Sequence, residues 1–248
     1  MTGIYASNAG TTIKHSLLAA IVALLVAGPA RAAIIISEVD PSGSSATSNT
    51  YNADWFELTN TGAAAVNITG WEIDDNSNLF ANAVPLRGVT SIAPGKSVVF
   101  IEGIADGSTD ATLEASFKSF WFDGNIPAGF TIGAYGGSGV GLSQTADAVN
   151  IFDSTGARVT GVAFGLATVG VSFDNTAGAG STTLPLPTIS TLSAVGVNGA
   201  FASFAAAAGQ PNEIGSPGIF VPEPSTVALA VLGLVCTSFY GWRRRRPS

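Results

Sequence analysis

Three glutamates, Glu38, Glu57 and Glu72, carry the carboxylates on which an acid-base site would be built. Each lies among apolar neighbours in a stretch whose residues alternate like a β-strand. Two carboxylates that converge in a cleft are the groups with which glycosidases cleave polysaccharides. The sequence does not show that these three converge, so no catalytic residue is predicted. A carboxylate-dependent hydrolase of extracellular polysaccharide is one alternative function.

The segment Asp74–Asn78 begins like a calcium-binding loop, because oxygen-bearing side chains occupy alternate positions. The EF-hand pattern then fails, since Leu79 stands where it requires glycine and Pro85 where it requires a bidentate glutamate. A solvated turn after a strand is the favoured interpretation. No metal ligand and no cofactor are predicted, and a calcium-dependent binding module is a further alternative function.

Three tryptophans, Trp55, Trp71 and Trp121, offer a different kind of site, a flat face on which sugar rings stack. The cores of β-sandwiches also contain buried tryptophans. Burial in a core is the favoured interpretation of all three.

The middle of the chain lacks histidine and cysteine, since the only histidine is His15 and the only cysteine is Cys236. This excludes histidine-assisted nucleophiles, zinc or copper sites of the His/Cys type and disulfides from residues 33–220. The same residues include four basic residues and 16 of the 17 acidic ones, all except Glu223, which gives a formal charge of −12. Because a polyanion repels phosphate backbones, nucleic acid is not expected among the partners.

The N-terminus has the parts of a secretory signal peptide. An apolar stretch, residues 17–27, is followed by a Gly-Pro break and by Ala30 and Ala32 of an A-x-A cleavage site. Residues 1–32 are therefore predicted to be a signal peptide that is cleaved before Ala33, and the secretion machinery is an expected partner.

The C-terminus has the parts of a single membrane span. Residues 226–242 are uncharged and mostly apolar, and as a helix they would extend about 26 Å, the short end of a bilayer core. Four arginines follow: Arg243, Arg244, Arg245 and Arg246. Because arginines next to a span resist translocation, we expect them on the cytoplasmic side and everything before Pro222 outside.

The junction Pro222-Glu223-Pro224, with the span and the arginine tail behind it, resembles the PEP-CTERM sorting signal of Gram-negative, biofilm-forming bacteria. The resemblance implies recognition by an exosortase, a membrane-embedded cysteine protease or transpeptidase, and cleavage near this motif. Residues 220–248 are therefore predicted to be a sorting signal. The resemblance further implies an exported chain that passes through a single-pass inner-membrane intermediate and ends at the cell surface or in the extracellular matrix.

Short alternating or apolar runs separated by Gly, Asn, Asp, Ser and Thr fill the remaining chain and predict antiparallel β-strands. Residues 97–101 form a continuous apolar run typical of a strand buried on both faces. Residues 148–153 and 158–164 flank a turn and predict a hairpin, and residues 192–204 predict a later strand. Residues 113–122 have spacing that allows a short amphipathic helix.

Alternation in residues 54–60 assigns the two faces of one strand. Because successive side chains point to opposite faces, Trp55 and Glu57 are expected to face away from the core of the sandwich. The predicted core contains four residues: Phe56, Leu58, Trp71 and Phe100.

Six blocks then follow one another: residues 34–39, 54–60, 68–73, 92–96, 147–153 and 213–218. In this order and spacing they resemble the lamin-tail domain, an immunoglobulin-like sandwich found in nuclear lamins and in secreted bacterial proteins. The resemblance covers about residues 33–218, and residues 109–137 look like an insertion into it. It implies a structural role for Glu38 and Glu57, which match recurrent strand positions of that family.

The sequence thus predicts an all-β, immunoglobulin-like β-sandwich over residues 33–219, flanked by an N-terminal signal peptide and a C-terminal single transmembrane helix. The predicted function is that of a noncatalytic exported surface or biofilm-matrix protein that an exosortase processes. Its expected contacts are the exosortase, the secretion machinery and, transiently, the inner membrane, with exopolysaccharide as a further candidate partner.

Overall fold

The computed structural model describes residues 34–43, 50–206 and 208–221, and most of its regular structure is β-strand. In chain order the strands are β1 (Ile34–Asp40), β2 (Trp55–Asn60), β3 (Val66–Asn67), β4 (Glu72–Asp74), β5 (Val84–Pro85), β6 (Ser91–Ile92), β7 (Ser97–Gly103), β8 (Ile132–Gly136), β9 (Asp147–Phe152), β10 (Arg158–Phe164), β11 (Phe173–Asp174), β12 (Thr188–Ile189), β13 (Phe201–Ala202) and β14 (Ile214–Gly215). A short 3-10 helix, Phe80–Asn82, precedes β5, and the helix α1, Asp110–Phe122, precedes β8.

Two five-stranded sheets form the framework. The first sheet has the order β11-β1-β2-β7-β8, and the second has the order β12-β10-β9-β4-β5. Most neighbours are antiparallel, as predicted, including the hairpin of β9 and β10. The pairs β7–β8 and β10–β12 are parallel instead. A parallel pair needs a long crossover, and the connection from β7 to β8 supplies one because it contains α1.

The two sheets enclose one apolar core, and this arrangement is consistent with an immunoglobulin-like β-sandwich. Side chains from β1, β2, β7 and β8 meet side chains from β4, β9 and β10 there. The four predicted core residues all belong to this cluster, which confirms the predicted alternation: Phe56, Leu58, Trp71 and Phe100. Strand β7 is buried from Ser97 to Ile101, as its apolar run predicted.

A β-bulge in β1 sets the direction of its side chains. The pairing of β1 with β2 shifts between Ile36 and Glu38, which leaves Ser37 as the extra residue. Ile36 before the bulge and Val39 after it both belong to the sandwich core. Because a bulge reverses the alternation downstream, Glu38 is turned to the outer face of the first sheet, directly opposite Glu57.

The helix α1 covers part of that outer face. It confirms the helix allowed by the spacing of residues 113–122, and it begins earlier, at Asp110. Phe117 and Trp121 contact Trp55 at ring-centroid distances of 5.8 and 6.0 Å, within a second aromatic cluster outside the sandwich core. The segment 109–137 that looks like an insertion thus adds a second core, and its last strand, β8, is part of the first sheet.

The strand predicted over residues 192–204 is wrong for most of its length. Only Phe201–Ala202 forms a strand, paired with β14, while Leu192 makes an isolated bridge to Phe173 and residues 195–199 form turns and a bend. Gly196, Asn198 and Gly199 have φ values of 83°, 48° and 85°, which are incompatible with a continuous strand. Val195 and Val197, which gave this run its strand-like composition, are exposed residues of the turn region.

The predictions for the two ends of the chain lie outside the described residues. These are the signal peptide at residues 1–32, the membrane span at residues 226–242 and the arginine tail that follows it, and all of them stay predictions. Across residues 34–43, 50–206 and 208–221, no helix has the length and apolar character needed to cross a bilayer. The described residues belong to one compact unit.

Candidate functional site

Glu38 and Glu57 form a pair of buried carboxyl groups on adjacent strands of the first sheet. They are direct cross-strand neighbours, so both side chains project from the same outer face. Their exposed fractions are 0% and 1%. The structure thus brings these two glutamates together, which the sequence left open. Glu72 lies apart from them, half-buried in β4 of the other sheet, opposite Phe152 and Pro85.

The carboxylate of Glu38 accepts hydrogen bonds from distant parts of the chain. Ser216 donates its backbone N–H to Oε1 at 2.8 Å and its hydroxyl to Oε2 at 2.9 Å. The hydroxyl of Ser172 donates to Oε1 at 2.5 Å and is also 2.7 Å from the hydroxyl of Ser193. Ser172 and Ser216 follow Glu38 by 134 and 178 residues in sequence, so Glu38 links the start of the domain to its end.

The carboxylate of Glu57 is held in the same manner. The hydroxyl of Ser37 donates to Oε1 at 2.7 Å, and the backbone N–H of Gly218 donates to Oε2. Behind Ser37 the hydroxyls of Thr59 and Ser97 continue the network, with oxygen separations of 2.7 and 2.6 Å. Each buried carboxylate thus has hydroxyl and amide donors around it, which is the condition for burying such a group without a large penalty.

These contacts fasten residues 213–218, here called the C-terminal strap, to the first sheet. At its start the hydroxyl of Tyr51 donates to Glu213 Oε2 at 2.6 Å. In its middle Gly215 lies so close that an added Cβ would be 2.7 Å from Glu38 Oε1 and 3.1 Å from the Trp121 ring. Glycine is required there because no larger residue fits between the strap and the sheet.

Burial dominates the electrostatics of this region. Burial and then the charge of Glu57 raise the pKa of Glu38 to about 8, although the hydrogen bonds that Glu38 accepts lower it. Burial likewise raises the pKa of Glu57 to about 7. On the same strand as Glu38, burial and then the charge of Glu213 raise the pKa of Asp40 to about 7. These carboxyl groups therefore take up protons near neutral pH, whereas exposed carboxyl groups do so under acidic conditions.

The arrangement of the glutamate pair suits attachment better than hydrolysis. A glycosidase needs two carboxyl groups that flank a bond in an accessible cleft. Glu38 and Glu57 are closed off by the C-terminal strap, and their oxygens already accept hydrogen bonds from the chain itself. The pair holds two distant segments of the fold together.

The calcium-like segment Asp74–Asn78 forms a closed polar turn. The hydroxyl of Ser77 donates to Asp74 Oδ1 and Oδ2 at 2.8 and 2.9 Å, and the N–H of Leu79 donates to Oδ2 at 2.9 Å. Asp75 Oδ1 accepts the N–H of Ser77. Within the described part of the chain, no group of three or more His, Cys, Asp and Glu side chains is placed to hold a metal ion.

The three tryptophans proposed as a sugar-stacking face are buried. Trp55, Trp71 and Trp121 are 0%, 8% and 2% exposed. Trp71 lies in the sandwich core, and the other two lie in the second aromatic cluster, Trp55 on β2 and Trp121 on α1. The stacking hypothesis is therefore wrong, and burial in the sandwich core is confirmed for Trp71, whereas Trp55 and Trp121 are buried in the second core.

A groove of about 700 Å³ lies on the outer face of the second sheet, beside the closed turn. Both polar and apolar residues line it: Asn76, Asn78, Ala146, Asp147, Ala148, Ala163, Phe164, Leu184, Pro185 and Leu186. The carboxylate of Asp147 in this groove is already hydrogen-bonded, because it accepts the backbone N–H groups of Asn76, Ser143 and Ala148. Asp147 therefore anchors loops at the groove.

Sequence reasoning missed most of the partners of the two glutamates. The block containing Glu213 and Ser216 was recognised, but neither residue was assigned a role, and Tyr51 was not singled out. One signal was present: hydroxyl residues alternate with apolar ones beside the glutamates, as at Ser37 and Thr59. When a second layer of structure covers the outer face of a strand, the polar side chains on that face are buried as well as the apolar ones that face the core.

Comparison with protein families identifies both parts of the chain. The Lamin Tail Domain matches residues 27–165, and the PEP-CTERM protein-sorting motif matches residues 220–246. The search of curated proteins finds no match. Several predicted site residues lie outside the described residues and stay predictions: Ala30, Ala32, Ala33, Pro222, Glu223, Pro224, Arg243, Arg244, Arg245 and Arg246.

Proposed function

Because the chain belongs to the lamin-tail-domain family and carries a PEP-CTERM sorting motif, we propose that it is a noncatalytic exported protein that an exosortase sorts to the cell surface or the biofilm matrix. Sorting and its enzyme follow from the motif. The noncatalytic role and the final location are the further parts of the proposal.

The position of the sorting motif carries this proposal. The match to the motif begins at residue 220, immediately after the strap held by Glu38 and Glu57. The folded domain therefore extends almost to Pro222, and little chain separates it from the predicted cleavage site. Cleavage near this point would release or transfer the domain with its strap contacts intact.

The proposed route begins with export by the signal peptide and cleavage before Ala33. The predicted span at residues 226–242 then holds the chain in the inner membrane, and Arg243–Arg246 keep the end of the chain in the cytoplasm. Exosortase cleavage at the Pro-Glu-Pro junction ends this intermediate stage. The formal charge of −12 on residues 33–220 suits a soluble matrix protein that does not bind nucleic acid.

The buried glutamate pair supports the noncatalytic part of the proposal. The carboxyl groups best placed by sequence for hydrolysis are the ones that fasten the strap. Exopolysaccharide accordingly enters the proposal as a candidate binding partner in the matrix, and its cleavage does not.

Mass spectrometry of the exported protein tests this function. We expect an N-terminus at Ala33 and a C-terminus between Val221 and Ser225. Pro222→Ala, Glu223→Ala and Pro224→Ala together should leave uncleaved protein in the inner membrane, because the recognised junction is lost.

Pro94→Ala is the control, since this exposed turn proline lies far from the motif in sequence and should not change sorting. Mature protein that retains Arg246 would contradict exosortase processing. Cleavage of a purified exopolysaccharide by the mature protein would overturn the noncatalytic assignment.

A further inference from the structure

Four apolar residues cluster where the described chain ends, and together they are called the exit patch: Val195, Val197, Ile219 and Val221. Val195, Val197 and Val221 are 61%, 52% and 46% exposed. Single exposed apolar residues are ordinary, but a group of them beside a functional segment indicates an interaction surface.

The patch is held together by a tight turn. The N–H of Gly196 donates to the carbonyl of Ala200 at 2.8 Å, so Val195 and Val197 lie at the tip of a closed loop. Gly199, in the same loop, lies directly beneath the chain end: a Cβ there would be 2.7 Å from Ile219 Cγ2 and 3.3 Å from Val221 Cγ2. The exposed valines and the last described residues therefore form one surface.

The two stretches of chain that form the patch carry no charged residue, although the domain as a whole is strongly acidic: none occurs in the sequence between Asp174 and Glu213 or between Glu213 and Glu223. Asp174 lies beside the patch loop, where its carboxylate accepts hydrogen bonds from the side chain of Asn198 and the backbone N–H of Thr176. An anionic bilayer surface repels acidic faces, so this face approaches such a surface at the lowest electrostatic cost.

The chain length between the patch and the predicted span limits where the patch can go. Only residues 222–225 separate Val221 from Thr226, where the span begins. Even fully extended, the chain from Val221 to Thr226 reaches at most about 18 Å. While the tail is in the membrane, the exit patch therefore stays close to the bilayer surface.

We propose that the exit patch is a membrane-docking surface, whose valine side chains insert into the lipid interface and seat the domain on the bilayer before the tail is cleaved. This proposal rests on the membrane-anchored intermediate of the proposed function. The occupant of the patch is the lipid interface itself, because the patch residues are apolar, their stretches of chain carry no charged residue, and the patch is tethered beside a span.

Docking of this kind needs only weak intrinsic affinity. A short tether gives an effective concentration of about millimolar or more, so a few valine side chains suffice while the tail is attached. After cleavage the tether is lost and the same contacts no longer hold the domain at the membrane. The patch would thus present the junction to a membrane-embedded enzyme and then let the product leave.

Depth-dependent fluorescence quenching tests the proposal with the full chain in phosphatidylethanolamine and phosphatidylglycerol vesicles. In a Cys236→Ala background, Val197→Cys carries an environment-sensitive dye, and lipids spin-labelled at the headgroup or upper acyl chain quench it. The matched control is Leu79→Cys, since Leu79 is also exposed, at 56%. Leu79 lies between β4 and β5 at one edge of the second sheet, whereas the patch loop follows β12 at the other edge. We expect several-fold stronger quenching at position 197 than at position 79.

A second variant separates lipid insertion from mere closeness. Val195→Asp adds a charge to the patch without touching the core, and it should reduce quenching at position 197 to the control level while the melting temperature stays unchanged. Unchanged quenching in Val195→Asp, or equal quenching at positions 197 and 79, overturns the docking surface. Loss of exosortase cleavage in Val195→Asp with unchanged quenching would assign the patch to the enzyme and also overturns it.

Flotation of the same vesicles tests the premise separately. Chain that floats with the vesicles but shows no preferential quenching at position 197 overturns only the docking surface. Chain that does not float overturns the anchored intermediate, and with it the docking surface.

Discussion

Glu38 and Glu57 fasten the C-terminal strap to the first sheet of the sandwich. Two adjacent carboxyl groups with raised pKa values are a common feature of catalytic sites, but structural networks also contain them. Here each carboxylate accepts hydrogen bonds from residues that lie far away in sequence, and neither opens to solvent. Raised pKa values at Glu38 and Glu57 therefore reflect burial at a structural junction.

Substitution of Glu57 tests this role. Glu57→Ala removes the acceptor of the part-buried N–H of Gly218 and one acceptor of the Ser37 hydroxyl, which keeps Thr59 as a hydrogen-bonding neighbour. A donor left unsatisfied costs about 1 to 3 kcal/mol, and the substitution also leaves a cavity beneath the strap. We therefore expect a loss of unfolding free energy comparable to that of the core variant Leu58→Ala, about 2 to 5 kcal/mol. Denaturant unfolding of the variants measures both losses.

Glu57→Gln is the control, because glutamine keeps the volume and one carbonyl acceptor while its amide can donate to a hydroxyl. It should lose clearly less stability than Glu57→Ala. A Glu57→Ala protein with wild-type stability would show that the strap contacts contribute nothing.

The buried carboxyl groups also predict a pH dependence of stability. Glu38, Glu57 and Asp40 have pKa values of about 8, 7 and 7 in the folded chain, above their ordinary values of 4.5, 4.5 and 3.8. Between the ordinary and the raised values the folded chain holds more protons than the unfolded chain, so the unfolding free energy falls as pH rises through this window. The stabilisation is complete below the ordinary values and is lost above about pH 8.

Thermal melts across this window measure the effect. We expect a melting temperature several degrees higher at about pH 5 than at about pH 8.5, and Glu38→Gln should flatten the dependence because it removes the group with the highest pKa. A melting temperature that rises with pH over this range would show that these groups are ionised in the folded state.

At the scale of elements, local sequence patterns predicted the strands whose side chains alternate regularly between core and outer face, or are apolar on both faces. The alternation in β2 assigned Phe56 and Leu58 to the core, and the apolar run of β7 indicated burial on both faces. These predictions succeeded because side-chain alternation depends only on neighbouring residues. The hairpin of β9 and β10 followed from its turn residues for the same reason.

The elements that sequence reasoning missed depend on distant residues. The strap meets Glu38 across 178 residues and Glu57 across 161 residues, and no local period encodes such a contact. The bulge at Ser37, which turns Glu38 outward, is a single-residue irregularity inside an apolar run. The false strand at residues 192–204 arose because exposed valines at a turn have the same composition as a strand.

At the scale of the whole molecule, the fold extends beyond the part that matches the family. The Lamin Tail Domain match ends at residue 165, whereas β11 and β12 form edges of the two sheets and β14 belongs to the strap. The donors to Glu38, Ser172 and Ser216, also lie beyond residue 165. The residues after 165 are therefore needed to cover Glu38 and Glu57, the two buried glutamates that lie within the match.

Two truncated chains test this dependence. A chain of residues 33–220 should unfold cooperatively, and its melting temperature should not change with reductant and should change little with EDTA, because it contains no cysteine and no histidine. A chain of residues 33–165 should fail to unfold cooperatively, since it exposes β1 and β10 as sheet edges and leaves Glu38 and Glu57 without their strap donors. Calorimetry and the dispersion of amide NMR signals distinguish the two. If the shorter chain melts as a single transition at the temperature of the longer one, the strap is an attachment to a complete sandwich, and the stability assigned to the glutamate pair must come from elsewhere.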